Sequence, residues 1–140
     1  MTSANIISRA IDIDGVHLYA DTRSGAAPSL VFLHYWGGSR RTWQPVLTRL
    51  HPDQAFVNYD QRGWGDSANA PGPYDMERLA DDSQSIIATL VYTDYVLVGH
   101  SMGGKVAQAL AARKPAGLAG VVLVAPEPSP PSVPPNSCSS

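Results

Sequence analysis

The chain has 140 residues, 44% of them apolar, and a net charge of −2, which together indicate one soluble globular domain with a hydrophobic core. Its ten basic residues are scattered along the sequence, so we expect neither a nucleic-acid partner nor attachment to an anionic membrane. Cys138 is the only cysteine, which excludes a disulfide framework and a cluster of thiolate metal ligands, and we expect no cofactor.

The N-terminal part of the chain predicts an antiparallel pair of strands. Residues 6–13 and 16–22 have strand composition, and Asp14-Gly15 between them is typical of a tight hairpin turn. The residues before them lack the apolar core of a secretion signal, and no later run is long enough to cross a bilayer. We therefore expect a cytoplasmic location.

Beyond a loop at residues 24–28, predicted strands and helices alternate. The continuous apolar run Leu30 to Leu33 predicts a strand buried on both faces. Trp43, Val46, Leu47 and Leu50 recur at helical spacing, which predicts a helix capped by Thr42. The later elements are a strand at 55–59, a helix at 75–90, a strand at 95–99, a helix that ends before Pro115, and a strand at 120–125. This alternation predicts an α/β fold with a mostly parallel sheet and helices on both faces.

The last fifteen residues differ in composition from the rest of the chain. Residues 126–140 contain six prolines and five serines and should be extended or disordered. We therefore divide the chain into a core at residues 1–125 and a Pro/Ser-rich tail at residues 126–140.

The stretch from Tyr95 to Gly104 carries the clearest functional pattern. A short apolar strand ends at Gly99-His100-Ser101-Met102-Gly103, and a helix-forming segment follows. Glycines on both sides of Ser101 permit a turn in which larger side chains would collide with the backbone. The stretch resembles the nucleophile elbow of the α/β-hydrolase family. That resemblance implies that Ser101 is the catalytic nucleophile and that the backbone N–H of Met102 is an oxyanion donor.

Two further segments match this family in the expected order. The loop that begins at His34 resembles the one that supplies the second oxyanion donor, which would be the backbone N–H of Trp36; Tyr35 stands where the family usually has glycine. Residues 60–67 match all five specified positions of the family's D-x-R-G-x-G-x-S segment. The resemblance implies a structural role for that loop, with Asp60 and Arg62 fixing it by hydrogen bonding and charge.

The sequence does not contain the complete catalytic set of the family. In the family the acid and the base histidine follow the serine, but no histidine follows Ser101. Glu127 stands where some members carry the acid, although a solvated glutamate in a proline-rich loop is the alternative. His34 and His100 flank turn positions, and we do not expect either to act as the base.

The resemblance covers roughly residues 6–126, the N-terminal half of the family's usual extent, and it implies an incomplete sheet. In the family a cap and two further strands follow at this point. We therefore expect residues 121–124 to form an exposed apolar edge strand through which the chain self-associates or pairs with a partner.

The resemblance implies hydrolysis of a small apolar ester or lactone, by acyl transfer through Ser101, in a full-length relative. We expect this chain to be weak or inactive on its own because it lacks the base. The alternative is a non-enzymatic remnant or small-molecule binding module. A dehalogenase-like activity is disfavoured because serine replaces the aspartate it needs. Residues 34–39 lack the glycine pattern of a dinucleotide site.

Overall fold

A computed structural model describes residues 5–91 and 94–125 of the chain. One sheet contains six strands, which are β1 (Ile7–Ile13), β2 (Val16–Arg23), β3 (Ala26–Leu33), β4 (Gln54–Tyr59), β5 (Tyr95–His100) and β6 (Leu118–Val124). The α-helices are α1 (Gln44–Leu47), α2 (Met76–Leu90) and α3 (Met102–Ala111), and short 3₁₀ helices lie at Arg40–Trp43 and Gly65–Ser67. Glu127 and the predicted tail lie outside the described residues.

The strands are arranged in the order β1-β2-β4-β3-β5-β6. Strand β2 pairs antiparallel with both β1 and β4, and β4, β3, β5 and β6 run parallel. The hairpin turn is at Asp14-Gly15 as predicted, and both residues have the positive φ that a tight hairpin turn favours. The mostly parallel α/β sheet with an antiparallel N-terminal hairpin is therefore confirmed.

Two separate hydrophobic clusters cover the two faces of the sheet. On one face, Val31 and Leu33 of β3 pack with residues of α2 and α3, including Leu79 and Val106. On the other face, a smaller cluster comprises Phe32, Trp43, Leu47, Phe56 and Val98. Because successive strand residues point to opposite faces, β3 contributes to both clusters. The predicted helices on both faces are therefore present, although one face has only a short helical segment.

The helix around Trp43 is shorter than predicted, and the predicted Thr42 cap is wrong. Ser39 caps the 3₁₀ helix by accepting from the N–H of Arg41, and Thr42 completes the capping box from inside it. The α-helical part covers only Gln44–Leu47. It then tightens, since Arg49 and Leu50 donate to carbonyls three residues back, and His51 precedes a proline that disfavours helical backbone there.

Strand β3 begins earlier than predicted because of a long-range contact. The sequence placed residues 24–28 in a loop, but Ala26 pairs with Gln54 across an irregularity in the β3–β4 register. The side-chain amide of Gln54 also donates to the carbonyl of Pro28, at 2.6 Å. Proline cannot donate to a ladder, so these contacts from β4 hold an extended segment that local composition does not predict.

Strand β6 forms one edge of the described sheet. Val121, Val122 and Val124 have 37%, 48% and 40% of their surfaces exposed. The predicted exposure of this apolar strand is therefore observed, while self-association through it stays a prediction. Among the described helices, none is long and apolar enough to cross a membrane.

Candidate active site

Ser101 forms the whole connection between β5 and α3. Strand β5 ends at His100 and α3 begins at Met102, and Ser101 between them has φ 54° and ψ −115°. Residues other than glycine rarely adopt positive φ, and such a conformation costs about 1–3 kcal/mol and persists only where the surroundings impose it. Here the Ser101 N–H donates to the carbonyl of Val124 at 3.1 Å, and its carbonyl accepts from Gly104 at 2.9 Å. The half-buried serine is therefore fixed by both β6 and α3.

Close packing explains the glycines on either side of Ser101. A Cβ atom added to Gly99 would lie 2.5 Å from the carbonyl oxygen of Gly103. A Cβ atom added to Gly103 would lie 2.1 Å from the carbonyl oxygen of Leu33 and 2.6 Å from that of His34. The first turn of α3 therefore lies directly against the end of β3, where the loop of residues 34–38 begins.

The 34–38 loop is a tight turn beside the serine. Strands β3 and β5 are parallel neighbours in which Leu33 lies opposite Gly99, so both lead to the same edge of the sheet. The N–H of Gly38 donates to the carbonyl of Tyr35 at 2.9 Å, and Gly37 has φ +88°. A positive φ at the third position of such a four-residue turn favours glycine. This arrangement makes Trp36 the second residue of the turn.

His34 is buried, and both of its ring nitrogens bind backbone groups. Its Nδ1 lies 2.8 Å from the carbonyl oxygen of Tyr35, and its Nε2 lies 2.9 Å from the backbone nitrogen of Gln61. Burial lowers the pKa of His34 and outweighs the Tyr35 carbonyl and Asp60, which both raise it. Because backbone groups occupy both ring nitrogens, this geometry does not favour His34 as the base for Ser101.

The lowered pKa of His34 predicts that the fold loses stability in mild acid. In the unfolded chain, His34 binds a proton as the pH falls through about 6.5. In the folded chain its buried neutral ring resists protonation. The free energy of unfolding should therefore fall below this pH, by at most about 1.4 kcal/mol per pH unit for one proton. Urea unfolding between pH 7.5 and pH 5 measures the slope. The His34→Asn variant should have a smaller slope, and an equal slope in both proteins would contradict this origin.

His100 precedes the serine, and its ring packs against aromatic residues. Its ring contacts Tyr35 at 5.2 Å and Trp43 at 6.2 Å between centroids, in both cases edge-on. Its Nδ1 is buried and has no hydrogen-bond partner among the described residues. The contact between the rings of His100 and Tyr35 joins the 34–38 loop to the end of β5.

The 60–67 loop is held through two sets of ionic contacts. Asp60 accepts from the backbone N–H groups of Arg40 and Asp66, at 2.6 and 2.8 Å, and pairs with the Arg40 guanidinium. Arg62 forms a two-pronged pair with Asp82 of α2, with both N–O distances at 2.9 Å. Asp60 and Arg62 thus fix the loop through separate partners. These contacts are of the kind that the predicted structural role requires.

The structure brings the serine turn and the 34–38 loop together and adds residues that the sequence did not single out. Gln61 binds His34 through both its backbone and its side chain. Trp64 contacts Trp36 at 4.1 Å and Tyr74 at 6.0 Å between ring centroids, and half of the Trp36 surface is exposed. Gln61 and Trp64 occupy two of the three unspecified positions of the D-x-R-G-x-G-x-S pattern, so the motif gave no signal for them.

The described residues contain no group of three or more histidine, cysteine, aspartate or glutamate side chains that could hold a metal ion. The structure brings together Ser101, the 34–38 loop and the rings of Trp36 and Trp64. Fold and site together define an α/β protein in which a parallel strand, a strained serine and a helix meet at one sheet edge.

Comparison with known proteins identifies the family. The model of the alpha/beta hydrolase family matches residues 30–138, and the chain belongs to this family. The chain is 33% identical over 115 residues to the pimeloyl-[acyl-carrier protein] methyl ester esterase of Pseudoalteromonas atlantica, covering 81% of this chain and 43% of the esterase. It is 40% identical over 112 residues to the 2-succinyl-6-hydroxy-2,4-cyclohexadiene-1-carboxylate synthase of an Enterobacter species, covering 76% of this chain and 41% of the synthase.

A solved structure supports the same assignment. The crystal structure of E-2-(acetamidomethylene)succinate hydrolase superposes with a TM-score of 0.74 at 31% sequence identity, covering 84% of this chain and 43% of the hydrolase. The chain therefore spans less than half of the length of the relatives it matches.

Proposed function

We propose that Ser101 is the nucleophile of an acyl-transfer reaction on a small apolar ester or lactone. The observation that carries this proposal is the positive φ of Ser101 at a one-residue turn between β5 and α3. Such strain persists where the surrounding structure imposes it, and it is frequent at catalytic positions. The similarity to a methyl ester esterase supports an ester as the substrate class.

The backbone around Ser101 is suited to stabilising an oxyanion. Attack of the serine hydroxyl on a carbonyl carbon converts the carbonyl oxygen into an oxyanion, which backbone N–H groups stabilise. Met102 is the first residue of α3, where N–H groups have no acceptor within the helix. Trp36 lies in the adjoining loop. We assign the two oxyanion donors to the backbone N–H groups of Met102 and Trp36.

The proposed reaction needs a base that the described residues do not supply. A serine hydroxyl is a weak nucleophile until a base takes its proton, and water must later release the acyl group. His34 has both ring nitrogens bound to the backbone, and the sequence has no histidine after Ser101. Glu127, the candidate acid, lies outside the described residues. We therefore propose that the 140-residue chain alone reacts slowly.

The alternative function is a small-molecule binding module without catalysis. The absence of a histidine after Ser101 favours it, and the exposed ring of Trp36 beside Trp64 offers an apolar contact. In this case the serine turn would be kept for its fold and not for chemistry. Covalent labelling of Ser101 separates the two functions.

The test is covalent labelling of the purified 140-residue chain by a fluorophosphonate, with p-nitrophenyl acetate turnover measured in parallel. We expect one label per chain, located on Ser101, and a slow turnover that Ser101→Ala abolishes. Ser85→Ala is the matched control, because Ser85 is also half-buried but lies in α2. Absence of labelling in a folded chain would overturn the nucleophile proposal and favour the binding module.

A further inference from the structure

The peptide unit between Tyr35 and Trp36 carries the N–H that we assign to the oxyanion. Its carbonyl belongs to Tyr35 and its N–H belongs to Trp36. A trans peptide is planar, and its C=O and N–H point in opposite directions. This peptide is trans, because the cis peptides of the described chain precede Pro28 and Pro73. Whatever fixes the Tyr35 carbonyl therefore also fixes the direction of the Trp36 N–H.

Two donors fix the Tyr35 carbonyl. The N–H of Gly38 reaches the oxygen at 2.9 Å and closes the turn, and Nδ1 of His34 reaches the same oxygen at 2.8 Å. A carbonyl oxygen has two lone pairs, so these two donors fill its capacity. The Gly38 bond alone leaves the peptide plane free to tilt about the turn, whereas a second donor from a buried ring limits that tilt.

The contact to Gln61 decides which nitrogen of His34 carries the proton. The backbone N–H of Gln61 can only donate, so Nε2 of His34 must be the acceptor of that bond. In a neutral imidazole the proton then lies on Nδ1, the nitrogen that faces the Tyr35 carbonyl. The side-chain amide of Gln61 also donates to the His34 carbonyl at 2.8 Å. Gln61 thus holds His34 at both its ring and its backbone.

We propose that His34 is a positioning residue for the oxyanion site, which holds the Trp36 N–H in its donating direction by donating from Nδ1 to the carbonyl of Tyr35. Gln61 selects the tautomer that makes this possible. The inference rests on the proposed function for its consequence in catalysis, but the hydrogen-bond arrangement is testable without any reaction. The 60–67 loop thus affects the oxyanion site through two successive hydrogen bonds, from Gln61 to His34 and from His34 to Tyr35.

Two substitutions separate the two hydrogen bonds of the ring. The side-chain nitrogen of asparagine stands as many bonds from Cα as His34 Nδ1, so His34→Asn keeps a donor for the Tyr35 carbonyl. The side-chain amide of glutamine instead reaches the distance of Nε2, so His34→Gln keeps a partner for Gln61 and loses that donor. Each variant loses one of the two ring hydrogen bonds, and the lost bond differs between them. A role limited to stability should therefore affect them alike.

The kinetic readout is the fluorophosphonate labelling of Ser101 as a function of reagent concentration. We expect His34→Gln to lower the limiting rate constant about tenfold or more, with little change in the concentration for half-maximal rate. That loss is smaller than the ~10²–10³-fold effect of removing an oxyanion donor outright. His34→Asn should recover most of the rate. Equal rates in the two variants would overturn the inference.

The second readout is nuclear magnetic resonance, which needs neither labelling nor turnover. In the wild-type chain the ¹⁵N shifts of His34 should show a protonated Nδ1 and an unprotonated Nε2. The Trp36 amide should give one sharp signal in wild type and His34→Asn, and a broadened or doubled signal in His34→Gln. The reverse tautomer in wild type would overturn the inference even if neither variant folds. If Ser101 fails to label while these signals are as expected, the proposed function is refuted and the inference about His34 stands.

Discussion

Replacing Gly103 with alanine is expected to destabilise the fold by about 3 kcal/mol, the upper end for an overpacked interior, and to abolish labelling of Ser101. The added Cβ would lie 2.1 Å from the carbonyl oxygen of Leu33. That oxygen belongs to the backbone of a central strand and cannot move aside as a flexible side chain would. The first turn of α3 must therefore shift away from β3, and Met102 and Ser101 shift with it.

Gly104 provides a matched control in the same turn of the same helix. A Cβ atom there would have the end of the Leu123 side chain as its nearest neighbour, at 3.3 Å, and the nearest backbone atom at 3.6 Å. Leu123 is only partly buried and can yield, while alanine is favoured over glycine in a helix by up to about 1 kcal/mol. We expect Gly104→Ala to be neutral or stabilising in urea unfolding. Equal losses in both variants would show that packing against β3 is not the cause.

Replacing Arg62 with alanine is expected to cost about 3–5 kcal/mol of unfolding free energy, the range for breaking a buried ion pair by removing one partner. The side chains of Arg62 and Asp82 are 3% and 2% exposed, and two hydrogen bonds join them. Without Arg62 the Asp82 carboxylate would remain buried without its counter-charge. The carbonyl of Pro71 would also lose the donor that reaches it at 3.0 Å.

Arg113 is the control for this prediction, because it also pairs with carboxylates of α2. It contacts Glu77 and Asp81 at 3.1 and 2.8 Å, but these partners are 77% and 57% exposed. Exposed ion pairs contribute at most about 1 kcal/mol, so Arg113→Ala should have little effect. Denaturant unfolding monitored by circular dichroism compares the two. The double variant Arg62→Ala/Asp82→Ala should lose less than the sum of the single variants, and simple additivity would argue against direct coupling.

Local sequence was sufficient where the determining contacts lie within a few residues. The Asp14-Gly15 turn has both residues at positive φ because a two-residue hairpin turn favours it. The strand at Leu30 to Leu33 was predicted from its continuous apolar run, and its residues are divided between two clusters that cover both faces. The glycines around Ser101 predicted the sharp turn because a Cβ atom at residue 99 would collide with the backbone of Gly103, only four positions along the chain.

Tertiary contacts decided what local sequence did not. Pairing with Gln54, 28 positions further along the chain, extended β3 back to Ala26. The sequence did not indicate that Asp82 is the partner of Arg62, because that contact depends on how α2 packs beside the loop.

The sequence by itself determined the α/β class, the order of its strands along the chain and the position of the serine turn. The physical reason is that hydrophobic periodicity and glycine sterics act within single elements. Only the tertiary structure decided the protonation state and role of His34, because the Gln61 N–H that occupies its Nε2 comes from a loop 27 residues further along the chain. A histidine's chemistry depends on what its two nitrogens contact, and those contacts form only when β3 and β4 align side by side.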